Sequence, residues 1–173
     1  MADLLPTIPG RSCENCSKCC EGHLRADIKL KDGRESWMGM RDDKSLSPCS
    51  FVQSGQGCQV YSLRPTNPCA IFKCDWLTNE AMPESFKPNR SNAIFTTRTI
   101  RDIEYTMLIE AGRKLDSEVL SWAISHHLAN GSNFAWRVLD NIFWIGSEEF
   151  NKMMDEDYPL LQQGTAIGED ISR

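Results

Sequence analysis

The sequence predicts an α+β protein: an irregular, cysteine-rich N-terminal lobe packed on a small antiparallel sheet with two or three helices. Three observations predict it. All eight cysteines of the 173 residues fall between Cys13 and Cys74. That segment is punctuated throughout by Gly, Pro, Ser and Asp and has weak apolar periodicity. Beyond it, β-branched and aromatic runs flank one strongly helical stretch. Residues 1–76 are expected to form the lobe, 77–163 the α+β part of the same domain, and 164–173 a tail.

Within the lobe, "SCENCSKCCEGH" crowds Cys13, Cys16, Cys19 and Cys20 into one short loop. A second cluster runs from Pro48 to Cys74, with Cys49, Cys58, Cys69 and Cys74. Gly55 and Gly57 let the chain reverse between Cys49 and Cys58 and leave amides free to donate to sulfur. Pro48 and Pro68 stiffen the approaches to Cys49 and Cys69. The connector "TNEAMPESFKPNRSN" is broken by Pro83 and Pro88, and Ser91–Asn92 favours a turn.

"AIFTTRTI" and "IEYTMLI" read as a hairpin turning at Arg101–Asp102, with Ile103, Tyr105, Met107 and Ile109 on one face. "LDSEVLSWAISHHLANG" reads as a helix capped by Asp116 or Ser117 and ended by Gly131. Its core face is Val119, Leu120, Ala123, Ile124, His127 and Leu128. His127 is expected to be a core histidine and His126 to face solvent, while Trp122 falls off the core face. "FAWRV" and "IFWI" are two further strands around Asp140–Asn141. "SEEFNKMMDED" is a short helix whose Asp155, Glu156 and Asp157 form a solvated end.

Composition excludes some functions. The net charge is −5, and there is no polybasic run, so direct nucleic-acid binding is not expected. Residues 1–75 carry ten Lys/Arg against nine Asp/Glu, and residues 76–173 carry nine against fifteen. "MADLLPTIPGRSC" has no apolar core of a signal peptide, and no apolar run is long enough to span a bilayer. The expectation is a cytoplasmic protein without membrane contact. No dinucleotide, phosphate-loop, serine-hydrolase or zinc-protease motif is present.

Eight thiols in a reducing compartment call for metal more than for disulfides. Metal would also supply ordering energy that weak apolar periodicity cannot. Cys13, Cys16, Cys19, Cys20, Cys49, Cys58, Cys69 and Cys74 are therefore the candidate ligands. Cys13-x2-Cys16-x2-Cys19 matches the first three ligands of a ferredoxin-type run, but the usual x3-Cys-Pro continuation is replaced by Cys20. Cys-x2-Cys is also a zinc half-site, and eight thiols would fill two four-cysteine zinc sites. Iron–sulfur, with a 4Fe-4S cluster favoured, is placed ahead of zinc. Neighbouring side chains of an extended chain point apart, so Cys19 and Cys20 either serve different centres or one lies outside the ligand shell. Arg64 could neutralise a thiolate-bound centre or bind a substrate anion, with Tyr61 beside it. His23 is weighed as a further ligand or as a polar loop residue.

The pattern Cys13-x2-Cys16-x2-Cys19-Cys20, then Cys49, Cys58, Tyr61, Arg64, Pro65, Cys69 and Cys74, resembles the YkgJ-like cysteine-cluster family, described as zinc- or iron-chelating domains. The resemblance covers roughly residues 11–76. The same cysteine motif occurs in flagellin lysine methylases. Where family members often carry Arg after the cysteine corresponding to Cys69, this chain has Ala70. The resemblance implies thiolate metal binding. It leaves three roles open: an iron–sulfur protein, a zinc-stapled component of a larger protein assembly, or an Fe–S-dependent protein-modifying or redox enzyme. A protein partner is expected in each.

Overall fold

The computed structural model describes residues 6–13, 15–112, 114–138 and 141–162, the last five by backbone alone. The expected tail, 164–173, lies outside the described residues.

The larger sheet has four strands: β6 (Ala93–Ile100), β7 (Ile103–Glu110), β8 (Phe134–Val138) and β9 (Asn141–Ile145), in that order. β6 and β7 pair antiparallel in full register from Ala93↔Glu110 to Ile100↔Ile103. Arg101 and Asp102, at φ 49° and 64°, make the expected two-residue turn. The sheet is nevertheless mixed. β8 runs parallel to β7 through Thr106↔Phe134 and Leu108↔Trp136, which corrects the all-antiparallel expectation. The reason is the intervening α3 (Ser117–Asn130). Its length carries the chain back across the sheet, so the next strand re-enters in the same direction. Asp116 caps α3 by accepting from the Glu118 amide, and Gly131 at φ 61° ends it.

Alternate side chains of these strands feed two cores. Phe95, Leu108 and Phe134 point towards α3 and pack with Val119 and Ala123. Tyr105, Met107 and Ala135 point the other way and pack with Phe150, Met153 and Met154 of α4 (Glu148–Gln162). The sheet is thus covered on both faces. Leu128 is the one expected core residue of α3 that stands in solvent, at 62% exposure. Trp122 lies against the core, edge-on to Phe86 and Phe95 and stacked on His126, which is half-buried rather than fully solvent-facing. His127 is buried, stacked on Phe134 and bonded through Nδ1 to the Ser132 hydroxyl at 2.7 Å. The acidic end of α4 is not wholly solvated. Asp157 is buried and accepts from Arg101 at 2.6 Å, as does Glu156, tying α4 to the β6–β7 turn.

The lobe is more regular than its punctuation suggests. β1 (Ala26–Lys29), β2 (Glu35–Met40) and β3 (Leu46–Ser47) form one antiparallel sheet, and β4 (Val52–Gln53) with β5 (Gly57–Cys58) forms a hairpin. Gly55 and Gly57, at φ 75° and 80°, make the reversal there. Ile28, Leu30, Met38 and Cys49 form a small core of their own. Two four-residue helices, α1 (Asp75–Thr78) and α2 (Pro88–Ser91), flank the connector. The connector does more than link: Met82 and Phe86 are buried in the α3-side core. Among the described residues, no helix is long and apolar enough to cross a membrane.

Candidate metal centre

The eight thiols come from short elements that hydrogen bonding fixes in place. Cys13 and Cys16 sit on a turn closed by the Cys16 amide donating to the Cys13 carbonyl at 2.8 Å. Cys19 and Cys20 lie on a single helical turn, Lys18–Glu21, terminated by Gly22 at φ 96°. The Cys49 amide donates to the Cys20 carbonyl at 2.9 Å, holding the first cluster against the second. Cys58 ends the β4–β5 hairpin opposite Val52. Cys69 lies in a turn over Thr66–Ala70, packed against β1. Cys74 caps the start of α1, where its carbonyl accepts from the Leu77 amide at 2.9 Å.

Packing separates neighbours in sequence. Cys74 is buried in the α3-side core, and Cys19 packs against that same core. Cys49 is buried in the lobe core, with Cys20 and Cys69 packed on it. Electrostatics couples the thiols within these groups and also across them, since Cys19 feels Cys20 and Cys20 feels Cys13. The Cys13 and Cys16 thiols are both raised, first by desolvation, and both also feel Cys74. Cys19 donates a hydrogen bond to Cys74, which holds the Cys74 thiol low and drives its own well up. Cys20 is pushed up to about 12, by burial first and then by Cys49, Cys69 and Cys58. Burial also raises Cys69, with Cys49 and Cys58 adding to it.

All eight cysteines are free thiols. Among the described residues, no three or more His, Cys, Asp or Glu side chains are drawn into a ready ligand shell. The thiols are neighbours, not a closed shell. Burial raises the proton affinity of Cys13, Cys16, Cys20 and Cys69, so a soft metal would gather these thiols by displacing their protons. The donor set itself fits such a metal, being all sulfur on largely apolar supports.

Arg64 and Tyr61 form a stacked pair, the guanidinium 3.7 Å from the ring centroid. The Arg64 charge reaches both Cys13 and Cys69. Arg64 thus lies near thiols of both clusters, while Tyr61 is 57% exposed and supports it from outside. His23 is half-buried among Lys18, Glu21 and Glu110 at the seam between lobe and sheet, and burial lowers its pKa.

Sequence reading missed three residues here. Lys87 places a second positive charge near Cys13 and Cys16. Asn89 donates its side-chain amide to the Asn15 carbonyl at 2.9 Å, clamping the first loop. Arg11 grips the carbonyls of Trp76, Asn79 and Met82. All three act over more than sixty residues of sequence, and only Arg11, two residues ahead of Cys13, carried a local hint. A shallow hollow lined by Pro83, Phe86, Glu118, Ser121 and Trp122 opens on the sheet part, and no thiol lines it.

Fold and site together define an α+β protein whose thiols gather where a small β lobe meets a helix-covered mixed sheet. No family model, no curated protein and no solved structure matches the chain.

Proposed function

We propose that the protein binds metal through its cysteine thiolates, as an iron–sulfur protein, and that the metal orders the N-terminal lobe. One observation carries this reading: thiols spread from Cys13 to Cys74 each have other thiols as neighbours, on supports shaped by backbone hydrogen bonds. An interior that needed only small apolar residues would scatter them instead. The cations of Arg64 and Lys87 near Cys13 suit a thiolate centre of net negative charge. The ferredoxin-like run and the resemblance to cysteine-cluster proteins point the same way.

When bound, such a cluster supplies either a structural cross-link or one-electron chemistry. The chain's own residues hold it and shield it: the α3-side core covers Cys19 and Cys74, and the lobe core covers Cys20 and Cys49. Zinc is the second reading. The direct hydrogen bond between Cys19 and Cys74 favours it, because a single tetrahedral ion brings adjacent sulfurs to about 3.8 Å. A protein partner fits either metal, and Met40 and Leu46, cross-strand partners on β2 and β3, are both exposed apolar residues. Catalysis would require Arg64 to act on a substrate. Arg64→Gln is then expected to keep its metal while losing activity towards a protein substrate, whereas metal loss with unfolding assigns Arg64 to structure.

Anaerobic purification followed by absorption spectroscopy tests the reading. Broad absorption near ~400 nm with iron and acid-labile sulfide is expected. A colourless protein containing zinc selects the second reading, and a folded protein without metal overturns both.

A further inference from the structure

Building on the metal-binding reading, we propose that the Cys19–Cys20 pair divides the eight thiols between two separate four-thiolate centres: Cys13, Cys16, Cys19 and Cys74 hold one, and Cys20, Cys49, Cys58 and Cys69 hold the other. Two observations carry the division. The first is packing. Cys19 lies on the same core as Cys74, while Cys20 lies on the lobe core with Cys49 and Cys69. The chain here is a tight helical turn, not extended, and neighbours on it lie about 120° apart around the axis, enough for Cys19 and Cys20 to face different interiors.

The second is backbone linkage. Cys13 and Cys16 share one closed turn, and Asn89 and Lys87 bring the connector to that turn, beside the helix that begins after Cys74. Cys20 is instead bonded through its carbonyl to the Cys49 amide, and the Val52 amide bonds back to the Cys49 carbonyl, so the β4–β5 hairpin delivers Cys58 to the same side.

Each set holds four sulfurs, the number that closes either a tetrahedral ion or a cubane cluster. Arg64 acts on one member of each set, Cys13 and Cys69. It therefore sits where two negative centres would otherwise repel, and offsets both at once. The division also accounts for the interrupted ferredoxin run. The fourth ligand of the first centre arrives from Cys74 across the fold, which frees Cys20 to turn the other way.

The full chain, reduced and free of metal, is titrated anaerobically with cobalt(II) while the sulfur-to-cobalt charge-transfer absorption is followed. Saturation is expected at about two equivalents. Cys20→Ser and Cys74→Ser should each saturate at half that amount. Cys20→Ser with Cys49→Ser should lose no more than Cys20→Ser alone, whereas Cys20→Ser with Cys74→Ser should abolish the absorption. Saturation of the unmodified chain at one equivalent overturns the division but leaves the metal reading standing. No charge-transfer absorption at any loading overturns the metal reading itself. If a serine variant does not fold, the unmodified chain decides. It is loaded with half its saturating cobalt and alkylated, and intact chains that keep four unmodified cysteines are fragmented. The protected four should be one set or the other. A protected four that contains both Cys19 and Cys20 overturns the division.

Discussion

Arg11 is the tie between the thiol-bearing loop and the rest of the fold, and replacing it should show how far the two depend on each other. Its guanidinium donates to the carbonyls of Trp76 at 2.5 Å, Asn79 at 2.8 Å and Met82 at 2.6 Å. It also lies 5.1 Å from the Trp76 ring centroid. The side chain is 11% exposed, so water cannot readily replace it. A hydrogen bond to a charged group contributes about 1.5 kcal/mol at the low end, and three would approach 4–5 kcal/mol if they were independent. They share one cation, and the freed carbonyls partly rehydrate, so Arg11→Ala is expected to cost about 3 kcal/mol. Arg11→Lys offers a point charge in place of a planar fork and should recover no more than about half of that. Urea unfolding of the two variants, followed by tryptophan fluorescence, measures both values. A loss below about 1 kcal/mol for Arg11→Ala, or full recovery by lysine, would refute the argument that the three-carbonyl grip anchors the loop.

Three further perturbations probe other parts of the fold. A Cβ on Gly22, at φ 96°, would meet the Ser47 carbonyl oxygen at 2.8 Å, whereas one on Gly10, at φ 83°, meets nothing within 4 Å. Gly22→Ala should therefore cost at least about 1 kcal/mol more than Gly10→Ala in thermal unfolding, and equal costs would remove the close approach from the account. Phe95, 2% exposed and stacked on Phe86 at 6.2 Å, should cost about 4 kcal/mol as Phe95→Ala, and a loss under about 1 kcal/mol would show that the α3-side core does not depend on it. Burial, with His126 adding to it, lowers His127 to about 4. The unfolded chain then binds the proton first, so this contribution is full above about pH 6.5 and is lost as pH falls towards 4. Its size is about 2 kcal/mol, and subtracting the pH–stability curve of His127→Leu from that of the unmodified protein should isolate it; a flat difference between pH 6.5 and 4 contradicts it.

The parts of the fold legible in the sequence are those set by local chemistry. The β6–β7 hairpin announced itself through alternation around Arg101–Asp102, and α3 through Asp116, Gly131 and its apolar stripe. The core position of His127 followed from that stripe. Strands of the lobe did not announce themselves, because β1 and β2 bury few apolar residues. In β1 only Ile28 is buried, between exposed Asp27 and Lys29, and such a strand exists because β2 pairs with it. The parallel β7–β8 pairing was present in the strand–helix–strand order but was overlooked in favour of hairpins. At the site, the thiol positions were plain and their partners were not. Cys19 meets Cys74 across more than fifty residues, and only the folded chain brings Lys87 and Arg64 to the same sulfurs. Long-range contacts leave no periodic trace.

The account depends on soft metal holding the lobe's sulfurs, and the metal content of the anaerobically purified full chain tests this most directly. Elemental analysis with sulfide determination should find iron and sulfide in nearly equal amounts, with few of the eight thiols open to alkylation. A folded chain carrying no metal, with all eight thiols reacting freely, would contradict it.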